Sequence, residues 1–163
     1  MKHFLLLISV AMVIGQSVLA ADEIEMCVQL TKEQSAKVIE ATIRKKINKP
    51  KGVLAKADFE KVARLLNLQD QQLTDVKGLE KLTQLKKLHL GGNQLTDTKG
   101  LEKLTQLTHL HLGYNKLTSV KGLEKLTQLK KLRLFFNPDL TKAQIDQLQK
   151  ALPKCKISHN AKK

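Results

Sequence analysis

A step of 22 residues carries Lys87 to His109 to Lys131, and His89 to His111 to Arg133, so that three histidines and three permanent cations fall into two columns. Imidazoles grouped in this way can ligate zinc or titrate near neutrality. A zinc site needs three or four ligands, yet no carboxylate or cysteine joins these histidines, and Lys87, Lys131 and Arg133 repel a cation. No metal and no cofactor is therefore expected. The lysine and arginine neighbours should instead press the histidine pKa values down, leaving the rings mostly neutral at neutral pH and charging in mild acid. Nucleophilic catalysis finds no support either. Beyond residue 20 the serines are Ser35, Ser119 and Ser158, none with a matching histidine and carboxylate, and Gly91-Gly92 is a pair of strand-end glycines rather than a phosphate-cradling loop. With enzyme chemistry set aside, the remaining chemistry is recognition: cations that complement carboxylates, beside Tyr114, Phe135 and Phe136, whose rings give large contact area at low entropic cost.

These residues recur every 22 positions because the chain does. Lys-Gly-Leu-Glu-Lys-Leu-Thr-Gln-Leu stands at residues 77–85, 99–107 and 121–129, identical each time. Around it runs the frame LxxLxLxxNxL, as Leu85, Leu88, Leu90, Asn93, Leu95, then Leu107, Leu110, Leu112, Asn115, Leu117, then Leu129, Leu132, Leu134, Asn137. A degenerate first turn reads Ala63, Leu66, Leu68, Gln71, Leu73. A fixed period near 20 with this leucine and asparagine pattern signals one supersecondary unit stacked on copies of itself.

The chain thus resembles the leucine-rich repeat family, and its 22-residue unit is similar to the internalin type of bacterial exported proteins. The resemblance implies an α/β solenoid, a right-handed superhelix of about four parallel-strand rungs, closed by a helical cap at each end. In each rung the leucines of LxL should point into the core, and the residues between them onto the concave face, because strand side chains alternate. The asparagines should turn inward and satisfy backbone groups of the neighbouring coil. Thr98, where neighbouring turns carry Val76 and Val120, is expected to leave a softer spot in that core.

The ends divide accordingly. Residues 1–20 read as a signal peptide, with Lys2 and His3 before the apolar run from Phe4 to Ile14 and small residues Val18 and Ala20 at the cleavage positions. That eleven-residue run, which includes Ser9, falls short of the roughly 20 that cross a bilayer, so no membrane insertion is expected after its removal. Residues 21–30 form a flexible segment, and 31–61 a helical N-terminal cap opened by the Thr31-Gln34 capping box and striped by Val38, Ile39, Ile43 and Ile47. Asn48 to Gly52 breaks that helix before a short second one through Asp58, Phe59 and Val62. Repeats occupy 62–140. Residues 141–158 make a C-terminal cap with a second capping box, Thr141 and Gln144, a helix through Ile145, Leu148 and Leu152, and one last short strand near Cys155 and Ile157; a disordered tail, 159–163, follows. Cys27 and Cys155 flank the solenoid. Four strands at about 4.8 Å per step hold their ends further apart than the roughly 4.4 to 6.8 Å a disulfide spans, which leaves Cys155 buried and Cys27 accessible, free or bridging two molecules.

Variation among the copies separates scaffold from surface. The convex nonapeptide is constant, and its lysines keep a leucine-rich surface soluble; the outward strand positions vary from rung to rung. Lys87, His89, His109, His111, Tyr114, Lys131, Arg133, Phe135 and Phe136 are the candidate ligand-binding residues, with Phe135 and Phe136 also placed to pack under the C-terminal cap. A net charge of +14 points to an acidic partner. The expected function is that of an exported, periplasmic or extracellular, monomeric and non-enzymatic protein that binds another protein on its concave face. The alternatives are a charge-driven binder of anionic polysaccharide or nucleic acid, and a regulatory inhibitor of an exported enzyme.

Overall fold

The computed structural model describes residues 29–161, so the expected signal peptide, most of the 21–30 segment and Cys27 lie outside the described residues. Among these residues no helix is long and apolar enough to cross a membrane. Two helices, α1 (Lys32–Ile47) and α2 (Lys56–Glu60), lead into four three-residue strands one repeat apart: β1 (Leu65–Asn67), β2 (Lys87–His89), β3 (His109–His111) and β4 (Lys131–Arg133). Helix α3 (Lys142–Ala151) and strand β5 (Lys156–Ser158) complete the chain. All five strands form one parallel sheet in the order β1-β2-β3-β4-β5. Its register is the sequence repeat itself: Leu66, Leu88, Leu110, Leu132 and finally Ile157 stand side by side. The chain is an α/β solenoid, with β5 adding a fifth strand to the four that carry the repeat.

The constant nonapeptide returns the chain on the far side of the core. Each copy makes a 3₁₀ turn, Leu79–Lys81, Leu101–Lys103 and Leu123–Lys125, entered through a glycine at φ near +100° that a side chain would strain. The glutamate two residues later accepts that glycine's N–H, at 2.6 Å from Gly78 to Glu80, which gives the glycine and the glutamate of the motif a structural role beside its leucines. Leu79, Leu82 and Leu85 and their counterparts are completely buried against the strand leucines.

Asparagine seals each rung where the strand ends. Asn115 Oδ1 accepts Leu95 N–H at 3.1 Å, while Nδ2 donates to Leu90 O at 2.9 Å and Leu112 O at 3.1 Å, so one buried amide ties two successive coils. Asn93 and Asn137 do the same one rung to either side. Gln71, in the first rung, has no earlier coil to satisfy; it is exposed and turns its amide onto Gln69 O. Thr98 does not leave a soft spot: it is fully buried and its hydroxyl donates to Lys121 O at 3.0 Å.

The helices begin where their capping boxes predict. Thr31 and Gln34 exchange side-chain hydrogen bonds at the start of α1, and Thr141 and Gln144 do so for α3. Ile39 and Ile43 of α1, and Ile145, Leu148, Leu152 and Cys155 at the other end, join the leucine core. Buried Ser35 is structural: its hydroxyl accepts Thr74 N–H, fastening α1 to the first rung. Helix α1 ends at Asn48, which itself takes a left-handed conformation at φ 55°, ahead of Pro50 and Gly52. The C-terminal cap closes with β5. Ser158 is a strand residue whose carbonyl accepts Leu134 N–H, and beyond it Asn160 Oδ1 accepts Phe136 N–H at 2.7 Å.

Asp58 locks the loop between α1 and α2. Its buried carboxylate accepts Lys49 Nζ at 2.7 Å, Ala55 N–H at 3.0 Å and Lys61 Nζ at 3.3 Å. The hydrogen bond from Lys49, then that from Ala55, hold its pKa well below the usual carboxylate range against the opposing effect of burial. A depressed folded-state pKa contributes stability that is present at neutral pH and fades as acid titrates the group. Asp58→Asn is therefore expected to lower the thermal midpoint at pH 7, and the gap to wild type should narrow below about pH 4. Circular dichroism melts across that range check both halves.

Candidate binding face

The residues between the strand leucines point away from the core and form four columns across the sheet. The first holds Leu65, Lys87, His109, Lys131 and Lys156; the second Asn67, His89, His111, Arg133 and Ser158. Two further columns follow each strand: Gln69, Gly91, Gly113 and Phe135, then Asp70, Gly92, Tyr114 and Phe136. All nine candidate residues lie on this one face. Lys87, Lys131 and Arg133 are exposed, and the three histidines and Phe135 are half-buried.

Rings run continuously over the face. His89 meets His111 edge to face at 6.1 Å between centroids, His111 meets Phe135 at 5.4 Å, and Phe135 meets Tyr114 at 5.5 Å. Tyr114 and Phe136 then stack at 4.4 Å with planes 18° apart. His109 stands outside this run, its Nδ1 3.0 Å from the Thr108 hydroxyl.

Gly91 and Gly113 make that run possible, a role their sequence context did not reveal. A Cβ on Gly91 would sit 2.8 Å from His111 Cε1, and one on Gly113 would sit 2.8 Å from Phe135 Cε2. Each ring leans back over the glycine of the preceding rung, so the glycines are a floor rather than mere strand ends. Tyr114 is the single tyrosine of a chain without tryptophan, so its emission and near-ultraviolet dichroism report this site. Gly113→Val should push Phe135 off the floor and change the tyrosine dichroic band while the far-ultraviolet spectrum stays unchanged. An unaltered band would mean that the ring does not rest there.

The last column carries backbone strain. Asp70, Tyr114 and Phe136 have φ of 54°, 57° and 57°, and Gly92 has 69°. Glycine and aspartate tolerate the left-handed region, but a bulky aromatic there is an outlier of the kind that collects at functional sites. Both aromatics are also half exposed, Tyr114 at 54% and Phe136 at 52%. Asn160, Ala161 and Pro138 line a cleft of about 320 Å³ beside Phe136.

The histidine pKa values are lowered, as the sequence suggested, but for a different leading reason. Burial comes first for His89, His109 and His111; the charges of Arg133 and Lys87 add to it, and Asp70 pulls weakly the other way at His111. Among the described residues no three His, Cys, Asp or Glu side chains are grouped to hold a metal ion. His111 Nδ1 already faces the Gln69 amide at 3.3 Å.

A profile for leucine-rich repeats in two copies matches residues 64–103 and 105–150. The chain belongs to the leucine-rich repeat family. Among solved structures, this leucine-rich repeat protein is similar to an internalin of Listeria monocytogenes, with 24% identity and a TM-score of 0.64 over 77% of this chain and 44% of that one. Internalin C2 of the same organism gives 24% identity and a TM-score of 0.64 over 75% of this chain and 54% of that one. A leucine-rich repeat protein of Leptospira interrogans is 29% identical, with a TM-score of 0.55, over 65% of this chain and 28% of that one. The chain therefore spans about half the length of the internalins whose fold it shares. No curated protein sequence matches it.

Proposed function

We propose that this leucine-rich repeat protein is exported and non-enzymatic, and that it captures an acidic protein on the concave, strand-lined face. One observation carries the reading: Tyr114 and Phe136 stack half-exposed in a backbone conformation that bulky residues avoid, beside Lys87, Lys131 and Arg133. Solvation alone does not reward that arrangement. Aromatic anchors that desolvate on contact, rimmed by arginine and lysine, are what a protein interface uses for affinity and steering. The family favours the same class of role, and the leader-like pattern of residues 1–20 supports export. The test is capture of envelope proteins from the source cell by the wild-type chain and by the triple variant Lys87→Ser, Arg133→Ser, Phe135→Ser. The proposal requires a partner that the wild type retains and the variant loses; the same proteins held by both would overturn it.

A further inference from the structure

On a face otherwise rich in cations, one corner has the opposite character. Asp70, Gly92 and Tyr114 follow one another along the left-handed column, one rung apart, so each step is about 4.8 Å. The Asp70 side chain leans onto Gly92: a Cβ on that glycine would strike Asp70 Oδ1. The carboxylate thus occupies the space that Gly92 leaves vacant and forms a floor one rung from the Tyr114 ring. Phe136 stacks against the side of Tyr114 that faces away from Gly92, because it belongs to the following rung. Both ring partners of Tyr114, Phe135 and Phe136, belong to that following rung, and Gly92 and Asp70 to the preceding ones, on the opposite side of Tyr114. Asp70 makes no ion pair among the described residues, although cations are plentiful on the face.

A carboxylate floor meeting an aromatic wall suits a planar cation. A guanidinium can donate in its plane to the carboxylate while its face lies on the ring, a combination that an ammonium point charge fits less well. We propose that the corner formed by Asp70, Gly92 and Tyr114 receives an arginine side chain of the partner. The inference rests on the reading that the concave face binds a protein, and it refines that partner: acidic where it crosses Lys87, Lys131 and Arg133, and bearing one arginine at the Asp70 edge. Such a mixed pattern also fixes register, because a uniformly acidic segment would place a carboxylate against Asp70.

The single tyrosine gives a direct probe. Tyr114 emission is titrated with N-acetyl-arginine amide and with the neutral isostere N-acetyl-citrulline amide. Saturable quenching by the arginine compound is expected, about tenfold weaker for citrulline, in line with one exposed cation–π contact plus one exposed charge pair. Asp70→Asn keeps a residue that tolerates the left-handed conformation, and it should bring the arginine response down to the citrulline level. Lys87→Ser with Arg133→Ser should leave the arginine response in place while abolishing capture of the acidic protein, so this inference and the broader reading fail separately. Equal responses to the two compounds, or an arginine response that survives Asp70→Asn, would overturn the assignment.

Discussion

Truncating Leu110 to alanine is expected to remove about 2 to 5 kcal/mol of folding stability. Leu110 is 2% exposed and stands between Leu88 of the preceding strand and Leu132 of the next. Its deletion opens a void in the middle of the stack, where neighbours on both sides are fixed by ladder hydrogen bonds and by the Asn93 and Asn115 amides. Collapse around the gap is therefore limited, which favours the upper half of that range. In a solenoid each rung is supported only by its neighbours, so the loss should also reduce cooperativity, separating the melting of the first rungs from that of the last. Urea denaturation followed by circular dichroism measures both effects. An unchanged midpoint would place Leu110 outside the core and shift the whole frame by one residue.

That frame was legible because period, leucine alternation and asparagine column all report the same geometry. Leu66, Leu88, Leu110 and Leu132 could be aligned by counting 22 residues, and the sheet pairs them in that register. Capping boxes likewise fixed the starts of α1 and α3, since Thr31 with Gln34 and Thr141 with Gln144 make hydrogen bonds that depend on local spacing alone. What could not be read depends on distance across rungs. Gly91 and Gly113 look like filler until His111 and Phe135 are seen lying over them, one repeat later in sequence. Thr98 looks like a defect until its hydroxyl reaches Lys121 O. The left-handed conformations of Tyr114 and Phe136 were hidden for the same reason: the coil imposes that conformation on every copy, whichever residue stands there. Histidine titration was foreseen in direction only, because burial of a ring by its neighbours is a property of packing.

The second large effect belongs to the proposed binding face. Lys87, Arg133 and Phe135 all point away from the leucine core, so replacing them together by serine should leave the fold intact and remove at least about 2 kcal/mol of affinity for the captured protein, as loss of interface hot spots does. Acidification should act in the opposite direction. The histidine pKa values are lowered, so the rings are neutral at pH 7 and become charged only in mild acid, adding positive charge beside Lys87 and Arg133. Affinity for an acidic partner should then rise as the pH falls below the ordinary histidine range, up to the point where the partner's own carboxylates protonate.

The decisive measurement compares two triples of equal size by titration calorimetry against the captured protein at low and high salt. One is Lys87→Ser, Arg133→Ser, Phe135→Ser; the other, on the convex side, is Lys81→Ser, Lys103→Ser, Lys125→Ser, which removes three exposed lysines from the constant nonapeptide. A concave site predicts that the first triple loses at least about a factor of 30 in affinity, the equivalent of 2 kcal/mol, while the second stays within a few-fold of wild type, and that much of this difference survives high salt. Equal losses in the two triples, shrinking together as salt rises, would contradict it and leave a diffuse polycation in place of a binding face.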